Sequence, residues 1–518
     1  MFSFPSLRLP KLRLGSRSLP AGLISGMAQL YLGRERQSAV TQNTFLMKLL
    51  RKTANTVYGQ AHNFATITSY EDFARSVPIN TYDTLYPRIE RALAGEKHVL
   101  YPGKTPRFAT SSGTTGKGKY IPVTYDSLRR NHFRWGTRLL LGYLANNTSS
   151  WLYTGYGLVI GWGFMTNPIT GEANVGFISA ILQQCSPRYA KLMKQPKPKV
   201  SYIADRQSKV DSIIASTRHK NITSLSGQPS WCSAFLQKVV EQTGVSSILE
   251  LRPHFELVIW GGMAKDLYGD TFASLLPSDH IQYYQAYNAS EWFFAVQDRN
   301  DVDDMLLLID HAVFYEFIPL SRYHRGDQSV VVPLESVEVG EEYVILITNN
   351  AGLYRYVLGD TVVFTAREPY RLRVSGRTKY YIDIVGECST MDHIQTALMQ
   401  SAAQTWSIIQ DYTVWPSDFV SWQKWAYHFV IEWIQSPEDM ELFTRLLDDA
   451  LGQANSYYYD ERYDTDMLVM LRISSVRPGT FYERCAQHGK LGGQHKIPRV
   501  SNERGIIGEL LAIGGLIG

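Results

Sequence analysis

The densest chemistry in this sequence lies at Thr110-Ser111-Ser112-Gly113-Thr114-Thr115-Gly116-Lys117-Gly118-Lys119. Three glycines let the backbone curl until successive N–H groups converge on one anion, and the interleaved hydroxyls add donors. Lys117 and Lys119 add positive charge, so a nucleotide phosphate is the guest that this loop suits. Gly113 to Lys119 also satisfies G-x-x-x-x-G-K, the opening of a Walker A loop, and the run 305–310 resembles a Walker B strand. Two features argue against that reading. Position 120 is Tyr, not the hydroxyl that holds Mg²⁺, and Pro122 disfavours helix at the residue before it. A Walker A loop needs a helix there, because the helix N-terminus holds the phosphates.

Beyond the loop, the apolar residues Phe45, Leu46, Leu49, Leu50 and Val57 predict a helix over 43–57. Shorter helical signals cover 72–77 and 85–93, and a longer one covers 126–144. The stretch 120–124 reads as extended, the Lys- and Pro-rich stretch 191–199 as a loop, and the apolar runs 257–260 and 343–348 as buried strands. After about residue 375 the order changes to strand 380–385, helix 393–405, strand 426–433, helix 437–455 and strand 468–474. That order predicts a compact α+β unit after a larger lobe, as expected for 518 residues.

Two further motifs complete a family pattern. Tyr287-Asn288-Ala289-Ser290-Glu291 resembles the Tyr-x-x-Ser-Glu motif of adenylate-forming enzymes. Tyr354-Arg355-Tyr356-Val357-Leu358-Gly359-Asp360 resembles the lengthened Tyr-Arg-Tyr-x-x-Gly-Asp motif of the auxin-responsive-promoter family of acyl acid amido synthetases. Acyl-CoA synthetases and peptide-synthetase adenylation domains, in the same superfamily, usually carry the shorter Tyr-Arg-Thr-Gly-Asp. Segments 73–78, 88–100, 226–231, 314–319 and 493–499 are similar to the family in the same order, so the resemblance runs from about residue 28 to 505.

The resemblance implies an α/β fold: a large adenylate-forming lobe with mixed β-sheets flanked by helices, and a small α+β C-terminal lobe. The expected divisions are a basic arm over 1–27, an ATP- and acyl-binding domain over 28–375, and a mobile domain over 376–518. The implied reaction uses ATP and Mg²⁺ to activate a carboxylic acid as an acyl-AMP, then transfers the acyl group to an amine, most naturally an amino acid. Ser111, Ser112, Gly113, Thr114, Thr115 and Lys119 would hold phosphate. Tyr287, Asn288, Ala289 and Ser290 would line the nucleotide, and Gly261 and Gly262 would admit adenine to the backbone. Asp360 would accept both ribose hydroxyls, a task suited to a two-oxygen carboxylate. Glu291 would serve Mg²⁺ and the phosphates, and Lys496 would swing in to meet phosphate during adenylation. Gly376-Arg377 lies where the family hinges its small domain. The acyl pocket would draw on the region after the loop, with Arg134, Arg138, Tyr153, Tyr156 and Trp162 as candidates beside Trp135. One departure stands out: Cys388 occupies the place where the family commonly has lysine, with Lys379 as the available substitute.

Composition sets the remaining bounds. A net charge of +4 does not argue for nucleic acid. Cys185, Cys232, Cys388 and Cys485 are scattered without a CxxC pair, which reads as reduced thiols in a cytoplasmic protein. No run of about 18 apolar residues predicts a membrane span. The first 34 residues carry Arg8, Lys11, Arg13, Arg17 and Arg34 with no acid before Glu35. They fit a basic arm leading into the first helix better than the alternative, an organelle-targeting or membrane-surface segment. An acyl-CoA synthetase with the same adenylate chemistry, and a non-catalytic acyl or nucleotide binder, are the competing functions.

Overall fold

The computed structural model describes residues 21–33, 40–111, 119–161, 163–203, 206–227, 229–261, 269–324, 330–378, 381–382, 387, 389–421, 424–464, 468–488, 497–500 and 504–515. Near its start, short helices are fixed by hydroxyl caps. Thr56 accepts from the Gly59 amide (3.0 Å) ahead of helix Val57–Ala61, and Ser69 from the Asp72 amide (3.1 Å) ahead of Tyr70–Ser76. Thr81 and Thr84 form a reciprocal capping box ahead of Tyr82–Leu93. Each cap satisfies amides that a helix end leaves without an internal partner. The helix expected over 43–57 is Val40–Thr53 followed by a break. The helix expected over 126–144 begins as a short turn Tyr125–Ser127, passes through a π-turn Leu128–His132 and continues as Phe133–Asn146.

Strands Arg107–Ser111 and Lys119–Val123 pair antiparallel in a four-stranded sheet that also takes in Val175–Gly176 and Phe164–Met165. A strand thus follows the glycine-rich loop where a Walker A site needs a helix. Among the described residues, the main sheet has twelve strands. From one edge they run Val332–Pro333, Val313–Pro319, Glu342–Asn349, Tyr356–Arg367, Tyr370–Arg377, Met305–Leu307, Phe293–Val296 and Gln282–Asn288, all antiparallel. The sheet continues through Leu257–Trp260, Ile222–Gly227, Tyr156–Val159 and Lys194–Gln195, all parallel. Strand Val313–Pro319 is buried on both faces almost throughout, which is why its sequence is a near-continuous apolar run.

The last lobe has its own core. Strands Ile408–Ser421, Lys424–Gln435 and Arg472–Val476 form one sheet, with helices Met391–Gln404 and Met440–Ala454 supplying Leu398, Phe443 and Leu447 to the core. Several expectations need correction. Strand Ile408–Ser421 has no counterpart in the expected order, because its start is only partly apolar and Asp411 interrupts it. The final strand begins at Arg472, not 468. The stretch 191–199 is not a simple loop: helix Arg188–Leu192, strand Lys194–Gln195 and helix Pro198–Ser201 run through it, the last opening on a proline that suits a first helical turn. No helix among the described residues is long and apolar enough to cross a membrane.

Candidate active site

Four strand intervals separate Gln282–Asn288 from Tyr356–Arg367 in the main sheet. In a flat sheet they would stand roughly 19 Å apart, at about 4.8 Å per interval. Yet the Tyr287 hydroxyl donates to Asp360 Oδ2 at 2.9 Å. The sheet therefore curls on itself, and the curl brings two sequence motifs face to face. Both side chains are buried. Gly359, at φ +86°, occupies the left-handed region that favours glycine, and the Thr378 amide donates to its carbonyl at 2.9 Å. The ladder with Glu342–Asn349 shifts register here, a bulge within the strand, and Asp360 sits opposite Arg377 on the other side.

Glu291 lies in the tight turn between strands Gln282–Asn288 and Phe293–Val296, closed by the Ala289 amide on the Trp292 carbonyl (2.8 Å). The Tyr356 hydroxyl donates to Glu291 Oε1 at 3.3 Å, and Lys119 Nζ donates to the same hydroxyl at 3.3 Å. An ammonium, a phenol and a carboxylate from three distant segments thus form one relay. Burial pushes the Tyr356 phenol well above its usual range, and the Glu291 carboxylate adds to that, so it stays a neutral donor. Lys119 is also held over the rings of Tyr82 (5.5 Å) and Tyr356 (5.9 Å). The Tyr82 hydroxyl accepts from the Tyr120 amide at 2.8 Å, tying the hairpin to the N-terminal helices.

The hairpin brings the loop to this relay. Ser111 pairs with Lys119 across the ladder, beside the Ser290 hydroxyl on the Thr110 carbonyl (3.4 Å). Ser112, Gly113, Thr114, Thr115 and Lys117 themselves lie outside the described residues, as do Trp162, Gly262, Lys379, Cys388 and Lys496. Gly261 ends its strand against the neighbouring one: a Cβ there would meet Asn288 Oδ1 and the Ala286 carbonyl, the latter at 2.6 Å. Only glycine fits that approach.

The arginine of the Tyr-Arg-Tyr motif takes a different part. Arg355, at φ +42°, is buried and paired with Glu316 (Nε to Oε1 3.0 Å), and it also donates to the Ala74 and Val77 carbonyls at 2.8 and 2.9 Å. Burial raises the Glu316 carboxyl, against the lowering pull of Arg355. Tyr354 stacks on Tyr58 with centroids 4.7 Å apart. Asn80 accepts from the Val357 amide and donates to the Tyr354 carbonyl, each at 2.8 Å. Tyr354 and Arg355 brace the strand, while Tyr356 and Asp360 face the site.

The acyl candidates do not all gather here. Arg134 is committed to Asp310, with Nη2 to Oδ2 at 2.6 Å. Arg138 lies on the same helix, Phe133–Asn146. Tyr156 opens a parallel strand, whose far end at Val159 shares an edge with Gly227, Trp260 and Asn288. Tyr153 precedes it in the turn Leu152–Thr154. Both tyrosines therefore stand at the end of the sheet away from Gly261 and Asn288, because a strand separates them from that edge. Tyr82 and Tyr356 are the contacts that sequence reasoning missed. The lengthened motif contained Tyr356, but nothing local marks Tyr82.

Comparison with known proteins settles the family. Profiles of the GH3 family match at its N-terminal domain over residues 34–162, its central domain over 306–377 and its C-terminal domain over 392–505, together well over half of the chain. The chain belongs to the GH3 family. It is 24% identical to jasmonoyl–L-amino acid synthetase JAR6 of Nicotiana attenuata, over 88% of this chain and 90% of the relative. It is 23% identical to indole-3-acetic acid-amido synthetase GH3.8 of Oryza sativa subsp. indica, over 88% and 87%. AtGH3.15 acyl acid amido synthetase, solved with 2,4-DB, superposes with a TM-score of 0.77 at 17% identity, over 97% of this GH3 chain and 98% of that one. A 2-hydroxyisobutyryl-CoA ligase in its postadenylation state gives 0.52 at 11%, over 94% and 90%. These two likenesses speak to the fold, which is that of adenylate-forming enzymes.

Proposed function

We propose that this GH3 protein condenses a carboxylic acid with an amino acid in two half-reactions on one site. A carboxylate is a poor acylating agent because its leaving group would be oxide. In the first step a carboxylate oxygen attacks the α-phosphorus of ATP and pyrophosphate leaves. In the second, the amine nitrogen attacks the acyl carbon, AMP departs and the amine gives up a proton. The observation that carries this reading is the convergence of Glu291, Tyr356 and Lys119 beside the mouth of the glycine-rich loop, with Asp360 on the adjoining curl.

Each group has a physical task. The loop amides and Lys119 would stabilise the charge that builds on phosphate, and preorganised donors of this kind are usually the largest single catalytic term. Asp360, held in place by the Tyr287 hydroxyl, would accept from the ribose hydroxyls. Glu291 offers the hard oxygen donor that Mg²⁺ favours, and one carboxylate suffices where substrate phosphates complete the shell. Mg²⁺ there would neutralise phosphate charge. Gly376 would hinge the domain 376–518 against the domain 28–375, carrying Lys496 in for adenylation and out for aminolysis. The free thiols of Cys185 and Cys232 support a cytoplasmic setting.

The test is pyrophosphate exchange into ATP across a panel of carboxylic acids, followed by an amino-acid panel read by mass spectrometry. Exchange dependent on one acid class, and an amide product, are expected. A product that requires CoA in place of an amine would overturn the second half-reaction. Glu291→Gln should abolish exchange with the fold intact by circular dichroism; normal turnover in that variant would show that Glu291 serves neither Mg²⁺ nor the phosphates.

A further inference from the structure

The first helix, Ala21–Gly33, is apolar on more than the face it buries. It is fastened to the body at the far end of helix Phe133–Asn146, where Ser25 Oγ and Gln29 Nε2 both donate to the Ala145 carbonyl, at 3.3 and 2.9 Å. Ala28 and Ser25 are buried on that side. On the other side Leu23, Met27 and Leu30 are 50%, 48% and 68% exposed. Their spacing of four and three residues stacks them into one ridge along the helix. A helix apolar on both sides is normally covered on both. Among the described residues, one side is covered and the other is exposed.

What precedes the helix indicates the cover. Residues 1–20 contain Arg8, Lys11, Arg13 and Arg17, no acid, and the apolar residues Phe2, Phe4, Leu7, Leu9, Leu12, Leu14 and Leu19. Basic and bulky apolar residues in alternation, joined to an exposed apolar ridge, match the chemistry of an anionic bilayer surface: phosphate headgroups above, acyl chains just beneath. A protein partner that covered Leu23, Met27 and Leu30 would have to carry its own acidic surface to meet the arm. A bilayer presents both chemistries in one layer. We propose that the ridge of Leu23, Met27 and Leu30, together with the basic stretch before it, docks this enzyme peripherally on anionic phospholipid membranes. The helix joins the body at Ala145, while the opposite end of helix Phe133–Asn146 packs beside the active-site turn through Trp135 and Phe293 (centroids 4.8 Å).

The full-length protein would be co-sedimented with vesicles of phosphatidylcholine alone and of phosphatidylcholine containing phosphatidylserine. Binding is expected only to the second, and to fall at least about tenfold on raising the salt, because headgroup attraction is screened within a Debye length. Replacing Arg8, Lys11, Arg13 and Arg17 by serine should reproduce that loss, as should Leu23→Ser, Met27→Ser and Leu30→Ser together. Acid-dependent pyrophosphate exchange in solution should be unchanged in both variants, which keeps this test separate from the proposed reaction. No binding to either vesicle, or equal binding to both, would overturn the proposal. So would a ridge variant that still bound vesicles but sedimented as a smaller species than the parent, since the ridge would then belong to self-association.

Discussion

Tyr356 is the residue through which the two charged groups of the site communicate. Its hydroxyl receives from Lys119 and gives to Glu291, so removing the oxygen breaks two charge-assisted contacts at once. Tyr356→Phe keeps the ring under Lys119 and should lower kcat/KM for ATP by roughly tenfold, the effect of about 1.4 kcal/mol. Unchanged steady-state kinetics would show that the relay does not reach the nucleotide. His132 offers a second test at this scale. It is buried between Trp292 and Phe293, its Nδ1–H donates to the Ser127 carbonyl, and its Nε2 meets no partner among the described residues. A proton there would create a buried donor with nothing to accept it, and burial pushes the imidazole down to about 4 from its usual 6.5. The unfolded chain therefore binds the extra proton first. The stability that depends on neutral His132 is complete above pH 6.5 and is lost as pH falls towards 4, by up to about 3 kcal/mol. His132→Phe should flatten urea-denaturation stability across that window, but only in part, because His393 is likewise pushed down to about 4.

Among elements, strand Tyr356–Arg367 carries the heaviest demands, since the residues just before it brace the N-terminal helices and its first half carries Tyr356 and Asp360. The brace depends on Arg355, whose buried guanidinium answers Glu316 and two carbonyls. Arg355→Met would take the buried cation from Glu316, leaving it the Tyr70 hydroxyl (3.1 Å), and would remove the Arg355 donor from both carbonyls. It should cost about 3–5 kcal/mol in chemical denaturation, the usual penalty for breaking a buried pair from one side. A loss below about 1 kcal/mol would mean that the pair is solvated in practice. Most elements were legible where apolar spacing repeats, as in helices Tyr82–Leu93 and Met440–Ala454. Others were not. Strand Ile408–Ser421 hides behind Asp411, and the stretch 191–199 folds into short helices that rest on packing more than on pattern. The pairing of Lys119 with Tyr82 has no local signature, because it arises only when the hairpin docks on the helices.

At the scale of the molecule, the motifs were readable but their meeting was not. Pairing order and curl are properties of the whole sheet, and no window of sequence reports them. The same limit misplaced Tyr153 and Tyr156, which follow the loop in sequence but stand at the other end of a strand. The proposed exchange of lobes yields a prediction here. Lys496→Ala should lose at least about a hundredfold in pyrophosphate exchange, as for removal of a preorganised donor. It should still convert supplied acyl-AMP and amine to amide in single-turnover assays. Equal loss of both half-reactions would contradict a lysine that serves only one of them.

On the proposed assignment of Tyr287 and Asp360 to the nucleotide, the curl that joins them would also make nucleotide affinity a gauge of integrity. Four ladders must zip before those two oxygens meet, so under that assignment a chain frayed anywhere along that span would forfeit its nucleotide while keeping most of its helices. Titrating ATP during denaturation would therefore register damage to this arc earlier than helical ellipticity does.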